Sequence, residues 1–233
     1  MITLIGVGHV FALSESIKDI IRSKRPEVVC LELDPLRFQS LLHRGPQGDV
    51  PIQYKLLAYL QKRLAGKFGT QVGDEMLAAA DAAREVGAKL ALIDMDGGTV
   101  MRRLWGSMTL PEKIRMMGSA LVGVLVSRER VEKELERYEG NEERYIEGLA
   151  VEFPTVKEIL IDDRNRFMAE KLTSISSEHK TVVAVVGDGH VSGLMDNLKA
   201  VEVEAVRLKD IRKPSAPEDA LAEVSTTYWY RGQ

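Results

Sequence analysis

The sequence predicts an α/β fold: an open, mainly parallel β-sheet flanked by helices, interrupted by a helical insertion. Three observations carry this expectation. Short apolar runs rich in β-branched residues recur along the chain: ITLIGV from Ile2, EVVCLELD from Glu27, AKLALIDMD from Ala88, TVVAVV from Thr181 and VEAVRL from Val203. Such continuous runs read as strands buried on both faces. Helical periodicity separates the first three, and strand–helix alternation implies parallel pairing through right-handed crossovers. From Thr99 to Leu172 the alternation stops and the pattern is almost wholly helical. The expected division is a core of residues 1–98 and 155–212, a helical insertion over 99–154 and a tail over 213–233.

The elements follow in order. After the first strand a helix is expected from Ser14 to Ser23, with Ser14 as N-cap and Ile17, Ile20 and Ile21 on one face, closed by Pro26. The second strand leads to Glu32 and Asp34, followed by Pro35 and a helix start at Arg37. Residues His43–Pro51 read as a loop by their glycines and prolines, and helical periodicity resumes over Gln53–Leu64. The alanine-rich segment Gly73–Gly87 is a helix, with Asp74 near its start and Gly87 as its C-cap. The third strand ends at Asp94 and Asp96. Pro111 is placed to open a helix, and Pro154 separates the insertion from a helix over Thr155–Ser176. A short helix over Val191–Lys199 then links the fourth and fifth strands.

Composition narrows the function classes. The chain has 233 residues, with Lys+Arg 32 against Asp+Glu 35 and a net charge of -3. These charges are interspersed, which argues against a nucleic-acid-binding face. The single cysteine, Cys30, lies inside a strand and has no partner for an internal disulfide, which suits a reducing compartment. Met1 leads directly into a strand with no basic region or cleavage site, so a cytoplasmic location is expected. The apolar run Gly118–Val126 is shorter than the roughly 20 residues that cross a bilayer. It reads as a buried helix or as a homodimer contact made by the insertion. The charged stretch Ser127–Gly148 reads as a solvated helix face.

The first and fourth strands both break into Gly-x-Gly-His-Val, at Gly6–Val10 and Gly187–Val191. Neither completes the dinucleotide pattern Gly-x-Gly-x-x-Gly, because Phe11 and Ser192 fill the last place. A glycine turn before a helix could still hold an anion. Two histidines in equivalent turns, His9 and His190, would meet if their strands are neighbours, and such a pair fits a metal site completed by a carboxylate. Glu32 is the candidate acid, as ligand or as base. Glu75, Asp94 and Asp96 are further carboxylates at helix starts or strand ends, where a capping role competes. Arg37, Arg102, Arg103, Arg164 and Arg166 could each orient an anionic group or form a surface ion pair. His43 and His179 lie in polar surroundings and read as surface residues.

These pieces, GVGHV, VVCLELDPLRF, GDEMLAAADAAREVGAKLALIDMD with TVMRRLW, LIDDRNRFMAEKL and VVGDGHVSG, resemble in order the TraB/PrgY pheromone-shutdown family over Ile2–Leu208. That family is similar to the Tiki metal-dependent proteases and, more distantly, to erythromycin-esterase-like and haem-binding ChaN-like folds. Its marks are two Gly-x-x-His motifs and an acidic residue, which fall here on Gly6 with His9, Gly187 with His190, and Glu32. Many members continue into C-terminal membrane spans, whereas this chain stops at Gln233 without one. Where the family pattern has an acidic residue before Arg and Asp after it, Asp163 and Arg164 match and Asn165 departs.

The resemblance implies a metal-dependent hydrolase, with a peptide bond as the leading target. His9, His190 and Glu32 would hold a divalent ion such as Mn, Co or Zn. Arg37 and Arg164 would orient the substrate, and Gly6, Gly8, Gly187, Gly189, Glu75, Asp94 and Arg103 would line its path. The alternatives are a non-enzymatic protein that sequesters a peptide or small ligand in the same crevice, and a haem or other cofactor held through one histidine.

Overall fold

A computed structural model describes residues 1–8, 13–43, 73–116, 148 and 150–211. Five strands, β1 (Ile2–Val7), β2 (Val28–Leu31), β3 (Lys89–Leu92), β4 (Val182–Gly187) and β5 (Val203–Val206), form one sheet in the order β3-β2-β4-β1-β5. Every pairing is parallel, as the apolar runs predict. The helices are α1 (Ser14–Lys24), α2 (Pro35–His43), α3 (Asp74–Val86), α4 (Gly97–Ser107), α5 (Pro154–Lys157), α6 (Asp163–Glu178), α7 (Asp188–Asn197) and α8 (Leu208–Ile211). A π turn, Glu158–Asp162, joins α5 to α6, and a further helical stretch occupies 110–116.

The period of two along each strand divides the core into two layers. Ile5, Val7, Val29, Leu31, Val183 and Val185 pack with Ile17 and Ile21 of α1 and Met76, Ala79 and Ala82 of α3. Ile2, Leu4, Val28, Cys30, Val182, Ala184 and Val186 pack with Met168 and Leu172 of α6 and Val191 and Leu194 of α7. The central strands β1, β2 and β4 are buried along nearly their whole length, while β3 and β5 are partly exposed. At about 1.5–3 kcal/mol per buried large apolar side chain, stability concentrates in those three central strands. They are the strands that carry the candidate site.

Connections reverse after β3. The helices α1 and α3 that follow β1 and β2 cover one face, whereas α6 and α7, on either side of β4 in the chain, cover the other. Such a reversal opens a crevice beyond the carboxyl ends of the strands. Register places Val7 of β1 opposite Gly187 of β4, and Leu31 of β2 opposite Val185. The two Gly-x-Gly-His strands are therefore neighbours, and the chain just after β2 meets them at the same edge.

Several boundaries differ from the sequence reading. Helix α1 has Leu13 at its N-cap position with no side-chain capping bond, so Ser14 is the first helical residue and not the cap. His43 ends α2 instead of opening a loop. Helix α7 starts at Asp188, three residues before Val191, so the Gly-Asp-Gly-His segment is the first turn of a helix and no free glycine turn precedes it. Pro111 is the second residue of the stretch 110–116. That helix is capped by Thr109, whose Oγ1 accepts from the Glu112 N–H at 3.4 Å while Glu112 Oε2 accepts from the Thr109 N–H at 2.9 Å. Pro154 is itself the first residue of α5, and α6 runs on to Glu178. The segments expected over 44–51, Gln53–Leu64, Gly118–Val126, 127–147 and 213–233 lie outside the described residues.

Candidate functional site

Glu32 directly follows β2, at the crevice, and only 8% of it is exposed. Its Oε2 accepts from the Gly187 N–H at 2.6 Å, and its Oε1 accepts from Arg164 Nη2. Nε2 of His190 stands 3.3 Å from the same Oε1. His190 is itself 5% exposed, and its Nδ1 lies 2.7 Å from Oδ1 of Asn165, a buried residue of α6. Starting α7 at Asp188 is what turns His190 inward, since the third residue of the helix then lies over the end of β2. Burial alone would raise the Glu32 carboxyl, but His190, the Arg164 guanidinium and the Gly187 N–H together hold it well below the usual carboxylate range.

Arg164 joins Glu32 to Asp94, which follows β3. Its Nε and Nη2 meet Oδ1 and Oδ2 of Asp94 at 3.0 and 2.7 Å, a bidentate pair. Its Nη1 donates to the Leu160 carbonyl at 3.1 Å. That carbonyl belongs to the π turn, where the wider winding presents a backbone group that a regular helix would use internally. Arg37 completes the row, donating from Nη2 to Asp94 Oδ2 at 2.5 Å and from Nε to Asp34 Oδ2 at 2.6 Å. Asp34 also caps α2, accepting from the Leu36 and Arg37 N–H groups at 2.9 Å each, and accepts from the Gly97 N–H at 3.0 Å. Burial pushes the Asp34 carboxyl up, and these Arg37 and Gly97 bonds more than reverse the effect.

Both carboxyls thus have folded values below their unfolded ones. Each contributes stability that is fully present above the unfolded values of about 4 and is lost as pH falls through the folded value. The urea midpoint is expected to drop as pH goes from about 5 to about 3, measured by circular dichroism. A midpoint that stays flat over that interval would contradict the network.

The row holds three carboxylates, Glu32, Asp34 and Asp94, against two guanidinium groups, Arg37 and Arg164. Three against two leaves one negative charge when the imidazole is neutral. A protonated imidazole or a bound cation beside Glu32 balances that charge, and an imidazole nitrogen with a carboxylate oxygen is a donor pair that suits zinc, manganese or cobalt. Among the described residues no group of three or more His, Cys, Asp or Glu side chains forms a metal cage. The third donor named from sequence, His9, lies outside the described residues.

Gly6 has a packing role. A Cβ there would collide with Asp188 Oδ1, and would lie 3.1 Å from both Asp188 Cγ and Val191 Cγ2. Asp188, 3% exposed, is fixed by Arg207 Nε at 3.1 Å, Arg207 Nη2 at 2.9 Å and the Leu208 N–H at 2.9 Å. It ties the start of α7 to the chain after β5. Sequence reasoning passed over Asp188 and Arg207. An acid between two motif glycines was the available signal for the first, and nothing local marks the second.

The remaining predicted residues divide. Gly8 follows β1 at the crevice edge, and Gly189 lies in the first turn of α7. Glu75 is buried in the first turn of α3, whose N-cap position is Gly73. Asp96 caps α4 by accepting from the Thr99 N–H at 2.7 Å, so it takes the capping role while Asp94 takes the crevice. Arg103 stands off from the row, 2.6 Å from Asp163, which also pairs with Arg166. Arg102 donates to Thr99 Oγ1, and His179 sits beside Glu27 on the opposite edge of the sheet. No helix among the described residues is long and apolar enough to cross a membrane.

An uncharacterized protein of Methanocaldococcus jannaschii is 34% identical over 91% of this chain, and the chain spans 58% of that relative's length. Among solved structures, ChaN of Campylobacter jejuni, described with cofacially bound heme, aligns over 88% of this chain and 80% of its own at 13% identity and a TM-score of 0.40. The TraB/PrgY/gumN family model matches residues 1–206 continuously, from the first strand through the fifth, and the chain belongs to that family.

Proposed function

We propose that this chain is a metal-dependent hydrolase acting on a peptide bond, with its centre at the carboxyl ends of β1, β2 and β4. The observation that carries the reading is the buried His190 Nε2 facing Glu32 Oε1 at 3.3 Å, beside a row of three carboxylates and two guanidinium groups. His190 and Glu32, with His9 from the end of the neighbouring strand, would hold a divalent ion. Such an ion supplies Lewis-acid activation of water at neutral pH and polarises a carbonyl.

The chain's own groups take distinct parts. A carboxylate held so far below its ordinary range is a weak proton acceptor, so Glu32 serves as ligand and counter-charge more than as general base. Arg164, 14% exposed and bound to two carboxylates, positions Glu32. Arg37, 41% exposed, keeps a face towards solvent and is the better placed of the two to meet a substrate carboxylate or carbonyl. A second reading has the same crevice capture a peptide or other small ligand without cutting it.

Metal-stripped protein reloaded with Mn, Co or Zn and incubated with a mixed peptide library, read by mass spectrometry, separates these. Cleavage by the loaded protein is expected, reduced at least about 100-fold in His9→Ala, His190→Ala and Glu32→Gln, the scale of losing a principal electrostatic group. Peptide retained without product would establish capture. Turnover unchanged in all three variants would rule out this site.

A further inference from the structure

Asn165 lies on α6, not on any of the strand ends that build the crevice, and it is 2% exposed. Among the described residues its side chain meets His190, Oδ1 to Nδ1 at 2.7 Å. The fold makes a slot for it: a Cβ on Gly193 of α7 would collide with Asn165 Nδ2 and stand 3.0 Å from its Cγ. A buried amide in a slot cut by a glycine, against the ring that faces Glu32, has a fixed orientation. A carbonyl oxygen only accepts, so the ring nitrogen opposite it must carry the proton.

We propose that Asn165 is the positioning residue of this site, accepting from His190 Nδ1–H and so holding the ring with Nε2 turned towards Glu32 Oε1. Histidines that bind metals are set in the same manner, through a partner on the other ring nitrogen. Nε2 and Glu32 Oε1 then face each other across 3.3 Å, bridged by a proton on Nε2 in the metal-free protein or by a cation that takes its place. The contact at Nδ1 stands independently of the metal-dependent reading, whereas the use of Nε2 for an ion rests on it.

Nitrogen-15 NMR of the full chain with labelled histidine, at a fixed pH where an ordinary imidazole is neutral, reads the two ring nitrogens of His190 separately. The expected spectrum of the metal-free protein has a proton on Nδ1. Asn165→Asp, which keeps an acceptor, is expected to preserve it, and Asn165→Leu to leave Nδ1 unprotonated with the proton on Nε2 alone, where Glu32 can accept it. Zinc titration by calorimetry is expected to show roughly 10–100-fold weaker binding in Asn165→Leu and near-normal binding in Asn165→Asp. An unprotonated Nδ1 in the unmutated protein overturns the proposal even if Asn165→Leu fails to fold. Protonated Nδ1 with no zinc bound at all keeps the positioning role and removes the metal reading.

Discussion

Replacing Arg164 by alanine is expected to cost about 3–5 kcal/mol of stability at neutral pH, the penalty for leaving a buried charge without its partner. The size follows from what one guanidinium does here. It bonds both oxygens of Asp94, whose side chain is fully buried, reaches Glu32 Oε1 beyond, and satisfies the Leu160 carbonyl of the π turn. Without it, Arg37 alone faces three carboxylates. Glu32 would also lose one of the groups that hold its carboxyl down, so it would take up a proton more readily as pH falls. The deficit should therefore be largest near pH 7 and narrow below about pH 4.5, where protonation removes the unpaired charge. Urea unfolding of Arg164→Ala at both pH values tests this. Arg164→Lys should recover only part of the loss, because an ammonium cannot make the bidentate contact. A loss below about 1 kcal/mol at neutral pH would mean that water screens the row despite the burial of Glu32 and Asp94.

The fold class was legible because it depends on pattern. Five apolar runs, the three central ones buried along nearly their whole length, leave few alternatives to a parallel sheet, and the two-layer core follows their alternation residue by residue. The meeting of β1 and β4 was conditional in the sequence, since pairing is a long-range property, and register settles it. Glu32 and His190 were legible through the echo of Gly-x-x-His and through their places after apolar runs. Helix starts were less so. Ser14 offered a capping hydroxyl that the chain does not use, and the first turn of α7 reaches back to Asp188 because a Gly187 N–H bond to Glu32 anchors the turn there. Arg164 was one of five candidate arginines until distance separated it from Arg102, Arg103 and Arg166, which pair locally or with Asp163. Asn165 drew notice only as a departure from a pattern. Its contact crosses 25 residues and two elements, and no local rule predicts such a contact.

The two Gly-x-x-His motifs look equivalent in sequence, and alanine at their glycines is expected to show that they are not. At Gly6 a Cβ would collide with Asp188 Oδ1, and Asp188 cannot step aside without losing Arg207 and the Leu208 N–H. Overpacking compounded by a strained buried ion pair predicts a loss of about 3 kcal/mol for Gly6→Ala. At Gly187 a Cβ would lie 3.5 Å from Glu32 Oε2 and 3.7 Å from His190 Cδ2, ordinary contact distances, and the backbone at φ -56 and ψ 136 suits any residue. Gly187→Ala should therefore stay within about 1 kcal/mol of the parent. A double-mutant cycle assigns the cause: Asp188→Ala should cost distinctly less in the Gly6→Ala background than in the parent, because the clash and the side chain it displaces vanish together. If Gly6→Ala were instead fully stable and defective only in binding peptide or metal, the glycine would be there to admit a ligand. The motif's first position would then belong to the crevice and not to the joint between α7 and the chain after β5.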